Sequence, residues 1–335
     1  MHGKIVSVTE FDFHTDLQQK YLNDRPEKVF DYADSDDELS APRPYVCDFS
    51  SETDGKICKD KCSYVLEKSD DETFSNPTVF EGLKENKLEL YNFRLGERFF
   101  WRAGSSLDTI NNSPIHEVKI TTDRLRNLKI DGVVNVRDVG GYGSSLVSGG
   151  RIIEGRYFRG GRVSDISEIG IKQLKDLGIK VEIDMLEAGI SSGPVIDGIE
   201  FYNFPIDSFT EPVRFEEYEE EYRKVFELIK NADKKPVYLH CFLGSDRTGI
   251  MTFALLSLCG VSYDDMLLDY LFTNFSPSGK RDPDREFNSW YFEKLDRYDG
   301  DSKAEKAKKW LMTKGIEEST LERIRKIFIK REPCR

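Results

Sequence analysis

Two kinds of apolar patterning divide the chain. From Arg43 to about Thr122 short alternating runs recur, at Pro44 to Phe49, Cys62 to Glu67, Leu88 to Tyr91, Arg98 to Ala103 and His116 to Thr121, with turn residues between them. Short runs of period two predict half-buried strands, and their regular recurrence predicts a small all-β sandwich over residues 41–124. From about residue 125 the pattern changes. Val133 to Val136, Arg156 to Arg159, Lys180 to Ile183, Ile199 to Asn203 and Pro236 to Leu239 read as short strands, while Ile166 to Leu177, Phe215 to Asn231 and Thr248 to Cys259 read as helices. After Ser262 the pattern is helical, at Tyr263 to Asn274, Phe287 to Leu295, Lys303 to Thr313 and Ile316 to Phe328, with Trp290, Tyr291, Phe292 and Trp310 read as core. This alternation predicts an α/β domain over 125–335 with a mainly parallel central sheet flanked by helices. The ligand site of such a sheet lies beyond the carboxyl ends of its strands. Residues 1–40, which include the acidic run DYADSDDELSAPRP, read as a flexible arm.

One segment at that carboxyl edge carries chemistry. Val237-Tyr238-Leu239-His240-Cys241-Phe242-Leu243-Gly244-Ser245-Asp246-Arg247-Thr248-Gly249 runs from a buried strand through a short loop into a buried helix. Unpaired N–H groups and the positive end of the helix dipole favour an anion there, and the loop from Phe242 to Thr248 can aim further amides inward. Gly244 supplies backbone freedom. The same field stabilises a thiolate on Cys241. Arg247 offers a planar fork for two phosphoryl oxygens, Thr248 a hydroxyl for the sulfur, and His240 a ring that orients the loop rather than acting as a base. A buried Cys between strand and helix is commonly an inert small hydrophobe; the surrounding His, Gly, Arg and Thr distinguish this one.

HCFLGSDRTG resembles the signature of the protein tyrosine phosphatase superfamily, and within it the atypical, largely bacterial tyrosine/serine phosphatases whose loop reads HCxxGKDRTG. Asn135-Val136-Arg137-Asp138-Val139-Gly140-Gly141-Tyr142 is similar to that branch's NxRDxGG element, and Tyr157-Phe158-Arg159-Gly160-Gly161-Arg162-Val163-Ser164 to its LFRSGRLS. Asp269-Tyr270-Leu271-Phe272-Thr273-Asn274 and Leu321 to Ile329 fit its carboxy-terminal region, so the resemblance covers residues about 125 to 332. It implies a cysteine-phosphatase fold and hydrolysis through a phosphocysteine, without a cofactor or metal. Two positions depart. The loop Lys is Ser245, which shifts the expectation toward a phosphotyrosine phosphoprotein or phosphopeptide, with phosphoserine or phosphothreonine (dual specificity) open and inositol phosphates or phosphoinositides as the runner-up, and the Arg that follows the Val-Asp-Leu strand is Leu186. Leu88 to Arg102 resembles the fibronectin type III pattern, a module that binds a protein partner or braces the catalytic domain. A phospho-binding scaffold with a vestigial site is the alternative from another class.

Such chemistry needs a group that protonates the leaving oxygen and then activates water. Asp207, in Phe204-Pro205-Ile206-Asp207-Ser208, lies 241 − 207 = 34 residues before the thiol, after a strand. Asp246, inside the loop, is its rival, and the sequence leaves the two level. Asp184, at another strand end, reads first as a structural acceptor. Asn135, Arg137 and Asp138 alternate with apolar residues and are expected to tie the loop from beside it, and Arg137 and Arg159 read as salt-bridge partners more than as substrate contacts.

Composition narrows the partners. A net charge of −12 and pI near 5.1 argue against nucleic acid or an anionic membrane. The cleft must therefore be locally basic, with Arg247, Arg159 and Arg162 as suppliers and Lys280, Arg281 and Arg285 as candidates for its rim. No apolar run is long enough to span a membrane and no leader is evident, so a cytoplasmic, reducing setting is favoured for a working thiolate, with secretion open if a leader was removed. Cys58-Lys-Asp-Lys-Cys62 lacks the second pair that zinc requires. Cys259, behind the loop, reads as core or as a trap for oxidised Cys241.

Overall fold

A computed structural model describes residues 3–24, 37–51, 63–187, 189–207, 217–277, 280–282 and 286–331. The chain forms two compact units, one from residues 1–15 and 42–123, the other from 16–41 and 124–335. It opens with β1 (Ile5–Phe11), in the first unit, and α1 (Asp16–Asn23), in the second. The expected arm over residues 1–40 is therefore corrected at both described elements. The β-branched run of β1 pairs in parallel with a strand ending at Ile120. Helix α1 buries Gln18 and Tyr21, whose side chains donate to the Leu39, Ala41 and Leu268 carbonyls at 2.8, 2.9 and 2.7 Å. Residues 31–36 of the acidic run lie outside the described residues.

The first unit continues with β2 (Tyr45–Asp48), β3 (Tyr64–Ser69), β4 (Thr78–Leu83), β5 (Lys87–Leu90), β6 (Arg98–Gly104), the one-turn helix α2 (Leu107–Ile110) and β7 (Ile115–Ile120). One sheet has the order β1-β7-β6-β3-β4 and a second pairs β2 with β5. Cys47 and Leu90 of the small sheet share one core with Leu66, Phe99, Trp101 and Val118 of the large one. Phe100, which alternation points the other way, packs with Phe74 and Ile115. Cys58 and Cys62 lie outside the described residues.

The second unit holds β8 (Arg126–Asn127), β9 (Arg137–Asp138), β10 (Gly143–Ser144), β11 (Gly150–Ile152), β12 (Tyr157–Gly160), α3 (Glu168–Asp176), β13 (Val181–Asp184), β14 (Glu200–Asn203), α4 (Glu219–Ile229), β15 (Val237–His240), α5 (Asp246–Leu258), α6 (Tyr263–Leu271), α7 (Glu286–Leu295), α8 (Lys303–Thr313), α9 (Glu318–Phe328) and β16 (Ile329–Arg331). Its main sheet has the order β14-β13-β15-β12-β9-β8, parallel across the first four strands and antiparallel at β9 and β8. Alternation sends Tyr157, Val237 and Leu239 to the face covered by α4, α5, α8 and α9, and Phe158 and Tyr238 to the face covered by α3. The strand expected at Val133 to Val136 is displaced to β9, because Asn135 takes the left-handed φ of 60° and only Val133 forms an isolated bridge, with Ile130. All four residues of β15 are buried, and α5 is buried on every side, as its continuous apolar sequence requires.

Candidate active site

The turn from β15 to α5 is shaped by what grips it from outside. Gly244 sits at φ +71°, and a Cβ there would lie 2.3 Å from the Gly160 carbonyl carbon, so only glycine fits between the loop and the end of β12. Successive loop carbonyls accept bonds from neighbouring segments. Phe242 O takes the Arg162 N–H at 3.1 Å, Leu243 O takes Asn135 Nδ2 at 2.9 Å, and Gly244 O and Ser245 O take Arg159 Nη2 at 2.8 and 3.2 Å. Carbonyls pinned outward leave the peptide N–H groups turned toward the inside of the loop, where they add to the positive end of α5. Cys241, 4% exposed, stands at the start of this concavity.

Arg247 leaves the first turn of α5. Among the described residues every contact of its guanidinium falls on Nη1, which donates to Glu187 Oε2 at 2.9 Å, Ile206 O at 2.8 Å and Met185 O at 3.5 Å. The Nε–Nη2 edge is left for a bidentate acceptor. Among the described residues Ser245 Oγ and Thr248 Oγ1 are buried donors without a hydrogen-bond partner, so the bond from Thr248 to the Cys241 sulfur expected from the sequence is not formed. At the rim the exposed Phe242 ring carries the Arg162 guanidinium 4.1 Å from its centroid.

Behind the loop is a buried charge cluster. Asp269 accepts Arg137 Nε at 2.9 Å and Arg159 Nη1 at 2.5 Å. Burial alone would raise the Asp269 carboxyl, but the two guanidiniums hold it below its ordinary value, while burial and the neighbouring Arg137 lower Arg159. Arg137 Nη1 also donates to Asn135 Oδ1 at 2.5 Å, so Asn135, Arg137 and Arg159 form one brace under the loop. His240 meets Glu182 Oε1 at 3.0 Å and the Cys241 carbonyl at 3.4 Å. Asp184 accepts the Leu186 N–H at 2.8 Å and the Ser191 hydroxyl at 2.5 Å, the structural use that its strand end suggested. Asp138 is one step removed, accepting from Arg126, Gly140 N and Gly155 N at 2.7, 2.8 and 2.6 Å.

The two acid candidates differ in surroundings. Asp246 is held by Arg281 through Nε at 3.0 Å and Nη2 at 2.9 Å, and by the Tyr270 hydroxyl at 2.7 Å. Asp207 is exposed, and the residue before it gives its carbonyl to Arg247. Of the rim candidates, Arg281 reaches the loop through Asp246 and Arg285 lies outside the described residues. Cys259 stands at the other end of α5, with its thiol pushed up to about 12 by burial, so it is no trap for Cys241. Sequence reasoning missed Glu187, Glu182 and the role of Asp269, each a carboxylate facing a base that is distant in the chain. The only available signal was a polar residue in an apolar run, as in Val181-Glu182-Ile183.

A model of the tyrosine phosphatase family matches residues 128–330. A curated Cupriavidus necator protein named "Putative tyrosine-protein phosphatase" is 27% identical over 175 residues, 44% of this chain and 63% of that one, so the match spans less than two thirds of the relative's length. Among solved structures, P. aeruginosa TpbA in complex with phosphotyrosine is similar at 14% identity and a TM-score of 0.32, over 49% of this chain and 90% of that one. The core catalytic domain of the S. cerevisiae PP-IP phosphatase SIW14, in complex with citrate, gives 16% and 0.33, over 50% and 92%.

Proposed function

The chain belongs to the tyrosine phosphatase family, and from that premise we propose that it hydrolyses phosphomonoesters, phosphotyrosine first, through a phosphocysteine on Cys241. One observation carries the reading: a buried cysteine and a buried arginine, whose Nε–Nη2 edge has no partner among the described residues, flank a loop whose Phe242 to Ser245 carbonyls are held by neighbouring segments. The sulfur attacks phosphorus as the ester oxygen leaves with a proton; water then attacks phosphorus, releasing inorganic phosphate and the thiolate. The loop amides and Arg247 stabilise the charge on the transferring phosphoryl group. Binding exchanges the Glu187 carboxylate for phosphate oxygens or adds them along the Nε–Nη2 edge.

Asp207 is the proposed acid. Its exposure beside the Arg247 contact supports this, whereas two donors from Arg281 commit Asp246 to an ion pair. The exposed Phe242–Arg162 pair offers a flat apolar platform at the rim, which suits an aryl phosphate better than a polyphosphorylated inositol. Membership of the atypical bacterial-type branch rests on the three motifs and on their meeting at one loop. The two-sheet core of the first unit supports its reading as a fibronectin-like module, for which binding a protein partner is the proposed role.

Cys241→Ser is expected to abolish turnover of p-nitrophenyl phosphate with the circular dichroism spectrum unchanged. Activity that survives this change and is removed by a chelator overturns the proposal. Peptides carrying phosphotyrosine or phosphoserine, set beside inositol phosphates, decide the substrate class.

A further inference from the structure

Asn135, which grips the phosphate loop, is itself held by a segment that precedes the residues matched by the family model. It sits at the left-handed φ of 60°, a conformation disfavoured for a residue with a Cβ and kept only where surrounding contacts impose it. From there Nδ2 donates to Leu243 O at 2.9 Å and to Thr273 Oγ1 at 3.2 Å, while Oδ1 accepts from Arg137 Nη1. These contacts fix the side chain. The backbone N–H faces the carboxylate of Glu38.

Glu38 belongs to the stretch that follows α1, and several bonds fasten that stretch to the second unit. The Leu39 N–H donates to Phe275 O at 2.7 Å, Asn127 Nδ2 donates to Ser40 O at 2.7 Å, and Gln18 Nε2 reaches the Leu39 and Ala41 carbonyls. Ser40 aims the carboxylate. Its N–H donates to Glu38 Oε1 at 3.0 Å and its hydroxyl reaches the same oxygen, whereas Oε2 is buried without a hydrogen-bond partner among the described residues. Burial raises the Glu38 carboxyl above its ordinary value, against the pull of Ser40, the Asn135 N–H and Lys129. A carboxylate whose charged form burial opposes is a poor choice for stability alone. We propose that Glu38 is a positioning residue: its carboxylate orients the Asn135 backbone, and through the Asn135 side chain it fixes the Leu243 carbonyl and the amides of the phosphate loop. Residues 37–41 are thereby a working part of the catalytic unit, a role that rests on the phosphatase reading.

Glu38→Ala in the full chain is expected to lower kcat for p-nitrophenyl phosphate by about tenfold and to change KM by less than about twofold, because the loop amides act on charge that develops in the transition state. Glu38→Gln keeps an oxygen for Ser40 and replaces a charged acceptor by a neutral one. Its kcat is expected between those of the parent and Glu38→Ala, at an unchanged or higher urea midpoint. Asn135→Gly removes the side chain that grips Leu243 and leaves the backbone free to keep its φ. On that background Glu38→Ala is expected to change kcat by less than about twofold, since nothing is left for Glu38 to position. Iodoacetate labelling of Cys241 at neutral pH, which needs no turnover, is expected to slow by about threefold or more in Glu38→Ala. An unchanged kcat in both Glu38 variants, or a double variant that loses the product of the two single effects, overturns the proposal. A parent chain that turns over no aryl phosphate overturns the phosphatase reading instead, and the labelling rate still decides Glu38.

Discussion

Asp269→Asn tests the brace beneath the loop. Asp269 is 1% exposed and is the shared partner of Arg137 and Arg159, so the three residues form a buried group with two positive charges and one negative. Neutralising the carboxylate leaves two guanidiniums facing each other without an anion, a change that costs about 3–5 kcal/mol in buried pairs. Arg137→Met removes one of the same ion pairs in the opposite sense. It leaves a balanced Asp269–Arg159 pair but forfeits the bonds to Asn135 Oδ1, the Asn135 and Asp269 carbonyls and Thr273, a loss of about 1–3 kcal/mol for each buried acceptor left without a donor. The measurement is urea unfolding of the full chain, with the transition of the second unit followed through the buried Trp310. A loss below about 1 kcal/mol for Asp269→Asn refutes the reasoning. The pH dependence has a fixed sign. The folded Asp269 carboxyl titrates below its ordinary value of 3.8, so its contribution is present above that pH and is lost as the pH falls through the lower, folded value.

The remaining predictions concern the loop, the acid, the two thiols and the first unit. Gly244→Ala, which sets a Cβ against the Gly160 backbone at +71°, should lower kcat for p-nitrophenyl phosphate by about tenfold or more, equivalent to a strain near 1–3 kcal/mol. An unchanged rate would show that the loop relaxes freely. Asp207→Asn should remove one limb of the pH–rate profile and slow substrates with poor leaving groups most, whereas Asp246→Asn should leave the limb in place; the reverse pattern transfers the acid role to Asp246. Iodoacetate at pH 8 should label Cys241, with phosphate protecting it, and spare Cys259, whose thiol burial has raised to about 12; mass mapping of the labelled peptides decides. Burial would raise the Asp12 carboxyl, but bonds from His14 and Thr122 lower it from 3.8 to about 2. Its contribution to the first unit is therefore present above pH 3.8 and lost as pH falls toward about 2, and Asp12→Asn should flatten that part of the melting curve.

What the sequence disclosed follows from how local each signal is. Cys241, Arg247 and Gly244 lie within one short loop, and the buried runs on each side fix its context, so chemistry and geometry could be read from the same residues. β12, β13 and β15 were legible for a similar reason, since short runs rich in β-branched and aromatic residues need no distant partner to be recognised. β1 was missed because the acidic run that follows it dominated the composition of the first 40 residues, although IVSVTEF itself has strand character. The partners of the loop were illegible because each meets it across the fold. Glu187 lies on the connection from β13 to β14 while Arg247 lies on α5, Asp269 lies on α6 while its arginines lie on β9 and β12, and Arg281 follows α6. No spacing rule in one sequence joins them.

The acidic composition posed a problem that the site resolves by placement and not by excess base. A net charge of −12 called for a basic cleft, yet almost every base near the loop has its own carboxylate: Arg247 has Glu187, Arg281 has Asp246, and His240 has Glu182. Asp269 serves two guanidiniums under the loop carbonyls that Arg159 holds, while His240 faces two buried carboxylates, Glu182 and Asp184. A charge in a low-dielectric interior acts on a nearby anion several times more strongly than one on the surface. Placing the Arg137 and Arg159 guanidiniums beneath the loop concentrates positive charge there in a chain of net charge −12. Ser245, where related loops carry Lys, fits the same economy. A neutral hydroxyl at that position adds a donor to the loop without adding a charge.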